Sequence, residues 1–196
     1  MDNDVSAGNR AIASPVSTLG QLALGLTLLA FGLGHTTVID GVTAADAVSL
    51  ATYVGGIALF VAGLLALRED GFTGTAFAGL GAFWFTWGVG AGSAVSATSA
   101  NAAGLFLLLF ALLALSLTLG SAGAGVFVRG TYGALFVALL LLAVAAFGGP
   151  DGLAKVGGWF AVAGGLAAWY GATAVMAGLP TVLPGRAAGR GVTAAG

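Results

Sequence analysis

Charged residues are few in this chain, and they stand far apart. Six basic and seven acidic side chains occur in 196 residues. They fall at Asp2, Asp4, Arg10, Asp40, Asp46, Arg68, Glu69, Asp70, Arg129, Asp151, Lys155, Arg186 and Arg190. A helix crosses a bilayer with about 20 mostly apolar residues, and the gaps between these charges have that length. Residues 17–39 form one window, and 47–67 form a second, stopped by Arg68-Glu69-Asp70. Residues 71–128 carry no charge and are too long for one crossing; the polar stretch from Ser93 to Asn101 divides them into about 73–92 and 102–120. Residues 130–149 are closed by Gly148-Gly149-Pro150-Asp151, and 156–178 by Gly178-Leu179-Pro180. The spacing predicts an all-α integral membrane protein: a six-transmembrane-helix bundle over residues 14–180, with tails at 1–13 and 181–196. Continuous apolar runs exclude the alternating pattern of a barrel, and a helix satisfies its own backbone where there is no water. The acidic start MDNDVSAGNR is unlike the basic head of a cleavable signal.

Composition removes the other classes. The chain is 59% hydrophobic and 7% charged, against about 25% charged for a soluble domain. A soluble enzyme, a disordered protein and a nucleic-acid binder are excluded; the net charge of −1 provides no basic footprint. Cysteine is absent, so disulfides and thiolate sites are absent with it. With six spans, Arg10, Arg68, Arg129, Arg186 and Arg190 share one side and Lys155 stands alone on the other, which predicts cytoplasmic N- and C-termini.

Buried charges in membrane helices mark relays and counter-ions, and no expected span holds one near its centre. A Schiff-base pump is excluded, and carboxylate-relay antiport and an acid-and-histidine metal site are not supported. Ser116 and Ser121 have no base on a neighbouring span, so no intramembrane hydrolase is expected. No cofactor or metal is called for. His35, the one histidine, closes the first span in Gly34-His35-Thr36-Thr37. It is read as a polar residue facing interfacial water or, more sharply, as a proton-sensitive gate. Glycine is abundant, 35 residues against a usual share of about 7%. Gly88 and Gly92 have the GxxxG spacing, Ala58 and Ala62 form a small pair, and doublets stand at 55–56, 157–158 and 164–165. These predict close helix packing. Trp84, Trp87, Trp159 and Trp169 are expected to pack in the interior. A narrow pore with a few hydroxyls, such as Thr27 and Thr75, would suit a small, weakly polar solute.

Residues 55–84 carry a more specific pattern: Gly55-Gly56-Ile57-Ala58, Ala62-Gly63-Leu64-Leu65, Thr75-Ala76-Phe77 and Gly81-Ala82-Phe83-Trp84. Gly158-Trp159, Gly165, Tyr170 and Val182-Leu183-Pro184 follow in order. Together these resemble the acetate uptake transporter family, to which the bacterial succinate–acetate permeases belong, over residues 14–185. The resemblance implies a pore in each six-helix protomer, a homo-oligomer of six, a plasma-membrane location, and a short carboxylate moving with protons. By alignment the family constriction falls at Leu24, Leu80 and Leu135, and a position linked to substrate size falls at Ala168. The chain departs from the family at its N-terminal signature, here Ser14-Pro15-Val16-Ser17-Thr18-Leu19-Gly20. It departs again at Leu59 and Ala66, where the family has glutamine and glutamate.

The expected pathway therefore contains Leu24, Leu80, Leu135, Ala168, Thr27, Thr75, Trp84 and Tyr170, with His35 as the proton-sensitive gate. The expected function is a transporter or channel, not an enzyme, for acetate or related short-chain monocarboxylates, proton-linked or passing the neutral acid. The alternatives are a same-fold pore for another small neutral solute and a non-conducting structural membrane protein. The expected partners are the lipid bilayer, a small carboxylate solute and further copies of the chain, with no nucleic acid.

Overall fold

Local chemistry sets the helix ends. Ser14 accepts the Ser17 N–H at 3.1 Å and Pro15 takes the first helical position, a strong start signal. Helix α1 (Pro15–Thr36) then runs until Thr37 turns left-handed at φ 55°. The expected span to residue 39 is thus cut short: the Thr36 hydroxyl donates to Leu33 O at 2.8 Å, and Val38 and Ile39 lie outside the helix. The second rod, α2 (Ala44–Ala66), begins earlier than expected. The Asp46 carboxylate accepts the Thr43 N–H at 2.8 Å and its hydroxyl at 2.9 Å, fixing a tight first turn. From Ala51 to Ala58 this rod widens into a π-helix, a geometry often found at functional positions. Helices α3 (Gly71–Gly92), α4 (Ala100–Gly120), α5 (Val126–Ala146) and α6 (Leu153–Ala177) follow. The last is closed by Gly178 at φ 67°, with the Leu179 N–H on Ala174 O at 2.8 Å, a Schellman stop.

The computed structural model describes residues 14–92, 99–150 and 152–180, and among these there is no strand. The polar divider at 93–98, both tails and the Val182-Leu183-Pro184 landmark lie outside the described residues. Five of the rods, α1, α2, α4 (with its last turn), α5 and α6, are long and apolar enough to cross a membrane. The remaining helix, α3, matches them with 22 residues, about 33 Å of helix. Its glycines, threonines and tryptophans dilute its hydropathy.

The helices form a ring in chain order. Helix α1 packs against α2 and α6, α2 against α3, α4 against α5 and α5 against α6. Glycine doublets make this possible because each helix meets two neighbours. On α6, Gly158 and Gly165 face α1, and a Cβ at these positions would lie 2.9 Å from Gly32 O and 2.8 Å from Leu29 N. Their partners Gly157 and Gly164 face α5, 3.1 Å from Ala138 O and 3.2 Å from Thr131 O by the same measure. Gly25 and Gly32 complete the α1 side; along a second seam Gly56 and Gly63 of α2 lie against Phe85 and Ala78 of α3, and Gly74 and Gly81 of α3 against Leu67 and Phe60. Each series repeats every seven residues, the period of a left-handed helix pair. The α3–α4 contact is different. Phe83 stacks on Phe106 at 5.5 Å and meets Phe110 at 5.0 Å, so rings hold these backbones apart where glycine draws the others together.

The outside of the ring is as apolar as its inside. Leu105, Leu109, Leu112 and Leu119 of α4 are exposed, as is Leu166 of α6. Trp159 and Trp169 are also outward, 51% and 42% exposed. This corrects the expectation of interior packing: only Trp84 is fully enclosed, and Trp87 is half-buried. Trp159, one residue after Gly158, is turned about 100° from the α1-facing glycine stripe of α6.

Asp70 caps α3. Its carboxylate accepts the Phe72 N–H at 3.2 Å, the Thr73 N–H at 3.0 Å and the Thr73 hydroxyl, and its carbonyl accepts the Gly74 N–H. The bonds from Thr73 hold this carboxyl below its ordinary pKa. A depressed folded-state value contributes stability at neutral pH and loses it as pH falls below about 4. Asp70→Ala is expected to cost about 1 kcal/mol at pH 7. Thermal unfolding in detergent should show the two proteins converging in strong acid; a gap that persists there would mean the carboxylate is not the cap.

A leucine-closed funnel as the candidate functional site

Helices α1, α3 and α5 run in the same direction, and their inward residues form successive layers along the ring axis. At one end lies a funnel of about 930 Å³ bounded by Ser14, Ser17, Gln21, Asp70, Thr73 and Tyr132, among others. The start of α1, the α2–α3 turn, the α4–α5 connection and the last turns of α6 all open into it. Arg68 and Arg129 belong to this end, and Lys155 to the other. At its floor stands Tyr132, 1% exposed, sharing the funnel lining with Gln21 and with the Phe72 ring at 6.1 Å.

One helical turn deeper the axis is closed. Leu24 lies three residues after Gln21 and Leu135 three after Tyr132. Both have no exposed surface, and neither has Leu80 of α3. The three belong to one contiguous buried cluster. Ala168 of α6 is buried beside this level; Gly25, next to Leu24, lies against the Trp169 backbone, so α6 approaches too closely for a large side chain. The next layer holds Thr27 and Trp84, both fully buried, beside the π-helical part of α2. A Cβ on Gly55 would lie 2.9 Å from both Thr27 Oγ1 and Trp84 Cγ. Thr27 donates its hydroxyl to Ala23 O at 2.8 Å. Beyond, Phe31 meets Trp84 and Trp87 edge-on, both at 5.1 Å.

His35 ends the file. Its ring lies 4.3 Å from Phe31, and Nδ1 is 2.8 Å from Phe31 O. A carbonyl only accepts, so Nδ1 carries the proton and Nε2 is left as the ring's acceptor. The side chain is half-buried, packed between Phe31 and Gly158 rather than standing in open water.

The structure thus brings Leu24, Leu80, Leu135, Ala168, Thr27 and Trp84 to the bundle interior. It does not bring Thr75 and Tyr170 there. Thr75 is exposed, about 140° and 180° around α3 from Leu80 and Trp84 at 100° per residue. Tyr170 is half-buried, its hydroxyl donating to Pro180 O at 3.1 Å and its ring 4.8 Å from Phe127. The site also holds two polar residues that the expected pathway omitted, Gln21 and Tyr132. The available signal was spacing: each precedes a constriction leucine by one turn.

Apolar helices closed in a ring, a buried axial file and a polar funnel at one end define a membrane transport protein, a channel or transporter rather than an enzyme. The sequence pattern of the GPR1/FUN34/yaaH family matches residues 4–181, and the chain belongs to that family. Its fold is similar to that in the solved "Structure of the bacterial acetate channel SatP", at a TM-score of 0.77 and 25% sequence identity. That match covers 87% of this chain and 98% of the other. No curated protein sequence matches the chain. The protein is therefore a multi-pass membrane protein of an acetate-transporter family.

Proposed function

We propose that this protein passes acetate or a related short-chain monocarboxylate through the interior of each protomer, as the neutral acid or together with a proton. All six long helices cross the plasma membrane in this reading, with both termini and the funnel on the cytoplasmic side. Arg68 and Arg129 at the funnel end support that orientation. The outward Trp159, Phe160 and Trp169 suit contacts between protomers in a homo-oligomer, six by family resemblance.

The observation that carries the proposal is the sequence of layers. A polar floor at Gln21 and Tyr132 is followed directly by a dry leucine closure. Stripping water from a carboxylate without replacement donors costs many kcal/mol, whereas a neutral acid loses only a few hydrogen bonds. Leu59 is fully buried and Ala66 lines the funnel. The two family positions that carry glutamine and glutamate are thus apolar here, and the solute has to bring its own proton through this stretch.

The test is uptake of labelled acetate into proteoliposomes, with and without an inward proton gradient. Uptake should rise with the gradient and fall when other short carboxylates compete. His35→Ala should displace the pH profile; the charged groups on segments adjoining His35 are Asp40, Asp46 and Lys155. An unchanged profile removes His35 from the mechanism. Absence of uptake by folded protein favours the second reading, a pore for a small neutral solute, to which the apolar Leu59 and Ala66 also lend support.

A further inference from the structure

Among the described residues one buried side-chain polar atom has no hydrogen-bond partner: Nε1 of Trp84. The indole is fully enclosed, and its N–H can donate but not accept. Buried donors are nearly always paired, so an unpaired one needs an explanation. Packing does not provide it. Phe83 lies at 4.7 Å, Phe31 at 5.1 Å and Trp87 at 6.2 Å between ring centroids, and phenylalanine would serve such an aromatic cluster without an orphan N–H. Position does provide it. Trp84 stands one turn beyond Leu80 on the same helix, on the far side of the closure from the funnel. Gly55, in the widened part of α2, is packed against it and against Thr27: a Cβ there would lie 2.9 Å from both Trp84 Cγ and Thr27 Oγ1, so a solute enters only as these side chains part. Thr27 Oγ1, bordering the same Gly55, has its proton committed to Ala23 O and retains lone-pair capacity.

We propose that the Trp84 Nε1–H is the hydrogen-bond donor for the carbonyl oxygen of an undissociated short-chain carboxylic acid that has passed the leucine closure, with Thr27 Oγ1 accepting the acid's own O–H. The assignment rests on the transport reading above and adds a binding step inside it. One neutral donor and one neutral acceptor match a –COOH group. They do not match a carboxylate, which has no proton for Thr27 and finds no cation at this depth. An occupied site pairs the donor that the empty protein leaves alone.

The test compares wild type and Trp84→Phe in the same proteoliposome preparation, measuring labelled-acetate uptake kinetics and thermal unfolding in detergent. Losing a hydrogen bond to the solute should raise KM for acetate roughly tenfold. Removing a buried orphan donor should leave the unfolding midpoint unchanged or higher. A purely structural indole predicts the opposite pair, an unchanged KM with a lower midpoint. A second measurement covers a variant that fails to fold. In a protein with Trp87, Trp159 and Trp169 replaced by phenylalanine, acetate added at low pH should shift the emission of the remaining Trp84, and acetamide should shift it less. No shift at acetate concentrations that saturate uptake overturns the assignment. Wild-type vesicles that take up no acetate overturn the transport reading and this assignment together. Wild-type uptake with an unchanged Trp84→Phe KM overturns this assignment alone.

Discussion

A Gly32→Val protein is expected to lose its fold or to unfold far below wild type, although the change adds only three carbon atoms to an apolar helix. The first of them, Cβ, would lie 2.7 Å from Gly158 O and 2.7 Å from Val162 N. Both are backbone atoms of α6, so no rotamer change relieves the overlap. The same seam is equally tight one heptad away, where a Cβ on Gly25 would meet Trp169 N at 2.8 Å. Helices α1 and α6 would have to separate along their length. In a bilayer little hydrophobic force opposes that separation, because helix association rests on close packing. Small-to-large changes in cores typically cost about 1–3 kcal/mol, and displacement of backbone by backbone puts this one at or above the upper end. Gly32→Ala should be intermediate. Gly32→Ala and Gly158→Ala together should cost less than their sum, because the two face each other and one separation accommodates both. Gly90→Ala is the control: nothing lies within 4 Å of its would-be Cβ, and alanine should be neutral or stabilise α3 by up to about 1 kcal/mol. Thermal unfolding of the purified proteins decides the matter. Equal midpoints for Gly32→Val and Gly90→Ala would mean that the α1–α6 seam does not hold the ring together.

The helices were legible because a charge in hydrocarbon is costly and the few charges here stand apart. Their ends were less so. Thr37 turns left-handed, and Asp46 captures Thr43; each involves a handful of local bonds that a hydropathy window averages away. Glycine spacing carried more than a four-residue search extracts. Of the GxxxG pair, Gly88 packs hard on Thr52, while Gly92 has only Val48 at an ordinary 3.6 Å; the packing unit is the heptad, and the doublets are adjacent heptad stripes facing two neighbours. Interior placement was legible where alignment positions coincide with helix faces, as at Leu24, Leu80 and Leu135. Thr75 and Tyr170 show the limit. A hydroxyl marks polarity but not direction, and counting 100° per residue from Leu80 or Ala168 turns both outward. Trp84 shows another limit, since an unpaired N–H is a property of its surroundings in three dimensions and leaves no mark on the sequence.

Opening the leucine closure should raise flux and lose selectivity together. Leu135→Ala removes three carbons at a level where Leu24, Leu80 and Leu135 have no exposed surface. In an ordinary core the resulting cavity costs about 2–5 kcal/mol. Here the new space adjoins a funnel of about 930 Å³ whose floor carries Gln21 and Tyr132, so water can enter it and offset part of that cost. In the proposed function, water at the closure lowers the desolvation barrier that favours the neutral acid. Acetate uptake is expected to rise about tenfold, which corresponds to only about 1.4 kcal/mol off the barrier. Dependence on the proton gradient should weaken, because the anion no longer crosses a dry layer. Larger solutes such as butyrate and succinate should begin to enter. The double variant Leu80→Ala/Leu135→Ala should exaggerate each change, whereas Leu109→Ala, on the exposed face of α4, should leave all three unaltered. Uptake of labelled acetate, butyrate and succinate, each at two pH gradients, separates the outcomes. A Leu135→Ala protein that stays folded and keeps the wild-type rate, size profile and gradient dependence would move the barrier away from the leucines, to the aromatic layer of Phe31, Trp84 and Trp87.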